Sequence, residues 1–266
     1  MRPSPVVRGE RGSPGPRGLP GFFCWVLLLS LPFWVAGAAV SRPAGLPMGL
    51  PVSALQFVCP LAAALIVLRP LPGGSRGRWL AEVFRPRWGS SRAAGWYAVS
   101  VLVVPAAAVA AYGYLRWAGS PEATGPGAAR PGQLPLLALV FVLAAGCEEA
   151  GWTGYATPGL RRRIGLLPTA LLLGVAWAVW HLVPLAEAGR SAAWTLGWFV
   201  STVAARVVIV RLWAGVGSAL PAVLCHATLN LCGACLPHYG SAGTQLALAA
   251  MLSVVALMVV LHWTFN

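Results

Sequence analysis

The chain has 266 residues, of which 58% are hydrophobic and 9% are charged, and its formal net charge is +13. Soluble domains carry about 25% charged residues, so this composition excludes an ordinary soluble protein and indicates an integral, multi-pass membrane protein. All 19 basic residues behind that charge are arginine. Most of them lie between hydrophobic segments, where arginines set topology and contact lipid head groups, so the charge does not indicate a nucleic-acid partner.

Eight apolar segments are each about as long as a helix must be to cross a bilayer, roughly 20 residues. The fold prediction is therefore an all-α, polytopic membrane helix bundle with about eight transmembrane helices. It forms a single domain over residues 21–266, preceded by a basic, disordered cytoplasmic tail over residues 1–20. In chain order the segments are Gly21–Val40, Leu50–Leu68, Gly95–Trp117, Leu134–Tyr155, Gly165–Val183, Trp194–Leu212, Val216–Leu236 and Thr244–Trp263.

Arginine placement predicts the orientation of these segments. The N-terminal tail and the connections after the second and fourth segments hold most of the arginines, and Arg211 lies at the end of the sixth segment, whereas the alternate connections hold few. Because positively charged loops stay in the cytoplasm, both termini are predicted to be cytoplasmic. The exclusive use of arginine is typical of a GC-rich coding bias, which indicates a bacterial cell membrane.

Two local patterns leave alternatives open. A basic start, an apolar stretch and the small residues Ala36 to Ala38 are also typical of a signal peptide, so residues 1–38 are a candidate for cleavage. Cys232 and Cys235, in CGAC, have the spacing of a redox pair or of metal ligands, and a disulfide is the alternative.

Two adjacent glutamates, Glu148 and Glu149, lie in the fourth apolar segment. An ionisable group at membrane depth costs several kcal/mol unless it is paired or hydrated, and it is a functional candidate by default. The structural alternative is a helix-end pair just outside the lipid, stabilised by Arg161–Arg163. Arg206, in the sixth segment, lies little more than one turn before Arg211 and is predicted to extend to the cytoplasmic head groups, with a side chain that faces the site as the alternative.

Three patches carry candidate catalytic residues. They are EEAGWTGY from Glu148, WAVWH ending at His181, and HATLN from His226 to Asn230. Helix positions four residues apart share a face, so His226 and Asn230 project together, as do Trp177 and His181. A bundle interior can bring such side chains together.

These residue types permit the activation of water. A partly desolvated carboxylate can act as a general base near neutral pH, and histidine or asparagine side chains can stabilise an oxyanion. Glu148, Glu149, His181 and His226 could equally hold a divalent metal such as zinc. The sequence leaves both mechanisms open.

Taken together, the three patches resemble the motifs of the CAAX protease and bacteriocin-processing (Abi-type) family of intramembrane proteases. That family's pattern is Glu-Glu-x-x-x-Arg, then an aromatic residue four positions before a histidine, then His-x-x-x-Asn or a small residue. The resemblance covers residues 134–236. It implies that Glu148 activates water beside Glu149, that His181 is its catalytic partner, and that His226 and Asn230 stabilise the oxyanion.

One position departs from this pattern, because Thr153 stands where the family has arginine. Threonine cannot supply a fixed positive charge, so the departure predicts weaker or altered activity. The expected function is that of an intramembrane endopeptidase that cuts a membrane-associated protein or peptide substrate. The alternatives are a non-catalytic relative that serves as a membrane scaffold or immunity protein, and a proton-coupled transporter. The natural substrate, the metal and the oligomeric state are left open.

Overall fold

The computed structural model describes residues 18–40, 46, 50–68, 75–124 and 129–265. Their regular structure is helical, which confirms the predicted fold class. The predicted tail falls almost entirely outside these residues. The eleven α-helices of the described part are α1 (Gly18–Ala39), α2 (Cys59–Val67), α3 (Ser75–Val83), α4 (Ser91–Trp117), α5 (Leu134–Glu149), α6 (Thr157–Ile164), α7 (Leu166–Trp180), α8 (Leu182–Glu187), α9 (Ala192–Val216), α10 (Leu220–Cys235) and α11 (Ala242–Phe265).

All eight predicted apolar segments are largely helical, but they differ in length. Within the described ranges, six helical stretches are long and apolar enough to cross a membrane. The second and seventh segments form shorter apolar helices, Val52–Val67 and Leu220–Cys235. The first of these begins as a 3-10 helix, Val52–Val58, before α2. The chain is thus an integral membrane protein, with two of its eight apolar segments shorter than a standard span.

The connecting segments gather at two opposite ends of the bundle. At the first end, the backbone N–H of Ala219 donates to the carbonyl of Val83 at 2.8 Å, and Arg161 lies over the Trp213 ring. At the second end, the Ala129 N–H donates to the Ala234 carbonyl at 2.9 Å, and Ser53 donates a hydrogen bond to Glu187. Successive connections thus lie at alternate ends of the bundle, as expected if each of the eight apolar segments runs from one end to the other.

Helix α9 lies at the centre of the bundle, packed against α7, α11, α10 and α4. Of the residues in its most apolar stretch, 56% are buried, a larger share than in the other long apolar helices among the described residues. Glycines allow its close contacts, since a Cβ at Gly174 of α7 would meet Val203 Cα at 3.0 Å, and one at Gly197 would meet the α11 backbone at 3.1 Å. Small residues commonly permit such contacts between membrane helices.

Helix α1 is an integral part of this bundle. Phe22 packs against Trp152 and Tyr155, with ring centroids 5.5 and 5.1 Å apart, and Ser30 accepts a hydrogen bond from Trp180 Nε1 at 2.8 Å. Helix α3 was not predicted, because its polar, arginine-containing sequence carries no long apolar run. Cys232 and Cys235 are both free thiols at the end of α10, so no disulfide joins them in this structure.

Candidate active site

Glu148 lies in the last turn of α5 and faces the bundle interior. Its side chain is 5% exposed, and its Oε2 accepts a hydrogen bond of 2.6 Å from Trp177 Nε1 on α7. This indole N–H is a donor only, so it orients one carboxylate oxygen. Glu148 also lines an internal cavity. The carboxylate is therefore held in place and remains next to a space that can admit a substrate or water.

Glu149 points to a different part of the interior, because successive helical residues are about 100° apart around the axis. It is fully buried and accepts hydrogen bonds from the Thr153 hydroxyl and from Arg206 Nη1, the latter at 2.8 Å. His226 Nδ1 lies 3.0 Å from Glu149 Oε1. Both carboxylate oxygens are thus engaged, by groups from α9, α10 and its own helical turn.

The chain after Glu149 forms a π-helix over Ala150–Ala156. Two glycines of the EEAGWTGY patch allow neighbouring segments to approach this wider turn. A Cβ at Gly151 would lie 2.5 Å from atoms of Pro60, and a Cβ at Gly154 would lie 2.7 Å from Val83. Wider π-type turns inside helices are frequent at functional sites. Here the turn carries Thr153 against Glu149 and Arg206.

His181 caps the C-terminus of α7. Its Nδ1 lies 2.9 Å from the Trp177 carbonyl oxygen, and its ring packs against Trp180 and Trp198. Since a carbonyl can only accept, Nδ1 must donate, which leaves Nε2 as the basic nitrogen of the neutral ring. The same reasoning applies to His226, whose Nδ1 faces a carboxylate.

His226 and Asn230 lie one turn apart on α10, as their spacing predicted. Both line the cavity that also contacts Glu148 and His181. The His226 ring packs edge to face against Trp177, with centroids 4.8 Å apart. The structure places Glu148, His181 and His226 on one cavity, which extends from the bundle interior towards the second end.

The cavity has a volume of about 210 Å³ and a mostly apolar lining. Leu50, Phe57, Val140 and Leu248 are among its apolar residues. Arg190 and Tyr239 also line it and belong to connections at the second end of the bundle. Burial raises the pKa of Tyr239 to about 12, so its phenol stays neutral at physiological pH. The space suits an apolar chain that ends in, or passes, a polar group.

Four of the five predicted catalytic residues therefore share one cavity, namely Glu148, His181, His226 and Asn230. Glu149 does not line it and lies behind its wall, where it contacts His226. The structural alternative for the glutamate pair, a helix end stabilised by Arg161–Arg163, is wrong, because both glutamates are buried and Glu149 pairs with Arg206.

Arg206 is the site residue that the sequence interpretation placed elsewhere. It was predicted to reach the cytoplasmic head groups beside Arg211, but its side chain is fully buried and contacts Glu149. The energetic reason is that a buried carboxylate needs a cation, and Arg206 supplies one without leaving the core. The sequence signal that could have identified Arg206 is the balance of charges. Two glutamates lie in an apolar segment, and position 153 holds no arginine that could pair with them.

A metal centre does not fit this arrangement. Glu149, one of the four proposed ligands, is committed to Arg206, Thr153 and His226. Within the described residues, no three histidine, cysteine, aspartate or glutamate side chains come close enough to hold a metal ion. The chemistry below is therefore derived from the side chains alone.

Comparison with known proteins agrees with the three motifs. Residues 130–232 match the family described as type II CAAX prenyl endopeptidase Rce1-like. A relative named CAAX prenyl protease 2, from Methanococcus maripaludis, is 44% identical over 48 residues. That alignment covers 18% of this chain and 17% of the relative. The resemblance inferred from the motifs is confirmed, and the family match contains every predicted catalytic residue.

Proposed function

We propose that this chain, a relative of the CAAX prenyl endopeptidases through residues 130–232, is an intramembrane endopeptidase that uses a glutamate-activated water. The observation that carries the proposal is the shared cavity, which brings Glu148, His181, His226 and Asn230 onto one apolar space. Three segments far apart in sequence supply these groups. A scaffold protein would have no need for this convergence of a base with hydrogen-bond donors.

In the proposed reaction, Glu148 takes a proton from a water molecule, and the resulting hydroxide attacks the carbonyl carbon of the scissile peptide bond. The Asn230 amide donates a hydrogen bond to the oxyanion that forms. His226, whose Nδ1 donates to the Glu149 carboxylate, also donates a hydrogen bond to the oxyanion through Nε2 when that nitrogen carries a proton. When the tetrahedral intermediate collapses, the C–N bond breaks and Glu148 returns the proton to the leaving amine.

His181 is proposed to hold the attacking water. Its Nδ1 is fixed by the Trp177 carbonyl, so the neutral ring offers Nε2 as an acceptor for a water proton. Trp177 thereby orients His181 through its backbone and Glu148 through its indole. The substrate is proposed to be a peptide with an attached or adjacent apolar group, because the cavity lining is mostly apolar.

The test is cleavage of lipid-tethered fluorogenic peptides by the full-length protein reconstituted in liposomes. One peptide carries a farnesylated cysteine followed by three residues, and a second carries an unmodified apolar segment. The variants are Glu148→Gln and His226→Ala, with Glu122→Gln as the matched control, since Glu122 lies in a connection at the second end. We expect Glu148→Gln to lower the rate by about a thousandfold or more, and Glu122→Gln to leave it unchanged.

A chelator arm separates the two mechanisms left open by the sequence. We expect full activity after chelation, because the proposed steps use only side chains. Loss of activity on chelation and recovery with zinc would contradict the metal-free mechanism. If the folded wild type and Glu148→Gln cleave at the same rate, the protease proposal fails and the non-catalytic scaffold is favoured. Proton-coupled uptake in the same liposomes would instead favour a transporter.

A further inference from the structure

We propose that Arg206 is a positioning residue of this site, which holds Glu149, and through it His226, in the reactive arrangement. The proposal rests on the proposed function above. It goes beyond that function because it assigns a role to a residue of α9, a helix that contributes none of the three recognised motifs.

The first observation is the environment of the Arg206 guanidinium. It is fully buried, with Nη1 2.8 Å from Glu149 Oε2 and 3.4 Å from the Thr153 hydroxyl oxygen. Its Cζ lies over the Trp177 ring, 4.2 Å from the centroid. Arginine suits this position because it remains charged when buried and can stack on an aromatic face while it donates in its plane.

The second observation is that Arg206 contacts the groups that orient the catalytic side chains. Glu149 receives both Arg206 Nη1 and His226 Nδ1, one on each carboxylate oxygen. Trp177, beneath the guanidinium, donates to Glu148. A chain of contacts therefore leads from Arg206 to the proposed base on one side and to the proposed oxyanion donor on the other.

The third observation is the electrostatic balance around Glu149. A carboxylate buried in an apolar interior must be paired with a cation, or it loses its charge and with it the geometry of its partners. Arg206 is the arginine that forms an ion pair with it among the described residues. Without Arg206, the proton on His226 Nδ1 and the orientation of the ring would no longer be fixed by a charged Glu149.

The fourth observation concerns position 153. Thr153 follows Glu149 by four residues, and its hydroxyl contacts both Glu149 and Arg206. The two side chains thus meet at the same carboxylate, one from the glutamate's own turn and one from α9. An arginine at position 153 could supply the same charge from the other side once Arg206 is replaced, whereas with both arginines present one carboxylate would have to offset two buried cations.

These contacts predict that the positive charge paired with Glu149 can be supplied either from position 206 or from position 153. The test compares Arg206→Met, Arg206→Lys, Arg206→Thr and Thr153→Arg with the exchange Thr153→Arg/Arg206→Thr, which conserves the composition of the site. Arg211→Met is the matched control, because Arg211 lies on the same helix but stacks on Trp96 and Trp263. Cleavage of the lipid-tethered peptides gives kcat and KM for each variant.

We expect Arg206→Met to lower kcat by at least about tenfold with KM changed by no more than about twofold, because a positioning residue acts on the transition state. Arg206→Lys should recover part of that loss. Thr153→Arg alone should be inactive, and the exchange should raise kcat by about tenfold or more over Arg206→Thr. A kcat for Arg206→Met equal to that of Arg211→Met, or an exchange no better than Arg206→Thr, would overturn the proposal.

A second readout does not depend on activity. Thermal unfolding in lipid nanodiscs is measured for Arg206→Met in the wild-type background and in the Glu149→Gln background. We expect a large drop in Tm in the first background and a much smaller one in the second, because the neutral amide no longer needs a cation. Equal drops would overturn the pairing. If the drop in Tm depends on Glu149 in this way but the wild type cleaves no peptide, the Arg206–Glu149 pair is supported and the protease function is refuted.

Discussion

Among single residues, Trp177 connects the proposed base, Glu148, with the group formed by Arg206, Glu149 and His226. Its indole N–H donates a hydrogen bond to Glu148, its ring lies under the Arg206 guanidinium, and the same ring packs against His226 in a T-shaped arrangement. The tryptophan therefore does more than fill space, and its aromatic ring and its N–H can be tested separately.

Replacing Trp177 with phenylalanine keeps an aromatic ring but removes the donor to Glu148. A hydrogen bond to a charged group contributes about 1.5–3 kcal/mol, so we expect cleavage to fall by about tenfold to a hundredfold. Initial rates on the lipid-tethered peptide check this. Trp25→Phe is the control, since Trp25 lies on α1 and is 40% exposed. If both variants cleave the peptide at the wild-type rate, the N–H of Trp177 is dispensable.

The sequence predicted most residues of the site, but it favoured a different place for Arg206. His226 and Asn230 share a helix face by their spacing, and the order of the motifs places Glu148 and His181 with them. Arg206 was different, because its nearest charged residue in sequence is Arg211 whereas its partner in space is Glu149. The periodicity of α9 does not show that Arg206 faces inwards, since its neighbours from Val203 to Val210 are apolar on every side of the helix.

At the scale of elements, the π-helix after Glu149 depends on its glycines. Gly151→Ala would place a methyl group 2.5 Å from Pro60 atoms, including its backbone carbonyl oxygen. Such overpacking costs about 1–3 kcal/mol, so we expect a lower Tm and reduced cleavage as the turn shifts. Gly146→Ala, on α5 with nothing within 4 Å of the added carbon, is the matched control and should be neutral or slightly stabilising.

Unfolding followed by intrinsic fluorescence in nanodiscs measures both variants. A Tm for Gly151→Ala equal to that of Gly146→Ala would mean that the turn relaxes freely. The sequence predicted a continuous helix here, because residues 134–155 form one apolar run. The π-helix was not predictable because it depends on contacts with Pro60 and Val83, which are distant in sequence.

At the scale of the whole molecule, the two ends of the bundle differ in charge and in access to the cavity. Arg161–Arg163 lie at the first end, whereas the cavity is lined by Arg190 and Tyr239 at the second. The positive-inside rule predicts that the first end is cytoplasmic, so we expect the cavity to open towards the opposite face of the membrane.

Thiol labelling tests this orientation with a matched pair of positions across α4. In a variant whose six native cysteines are replaced by alanine, Ser91→Cys lies at the first residue of α4 and Pro121→Cys lies beyond its last residue. We expect a membrane-impermeant maleimide to label position 121 in intact cells and position 91 only after permeabilisation, because the arginine-rich connection precedes α4. The reverse pattern would place the cavity mouth on the cytoplasmic side.

The shortness of α10 has a consequence for the surrounding lipid. Its 16 residues span roughly 24 Å, less than the hydrocarbon core of about 30 Å. A hydrophobic mismatch of this size is met by local thinning of the bilayer or by polar groups that dip below its surface. Since α10 carries His226 and Asn230, such thinning would bring the head-group layer closer to these two residues of the proposed active site. Bilayer thickness would then affect the proposed reaction, because it sets how far water must travel to reach a bond inside the membrane.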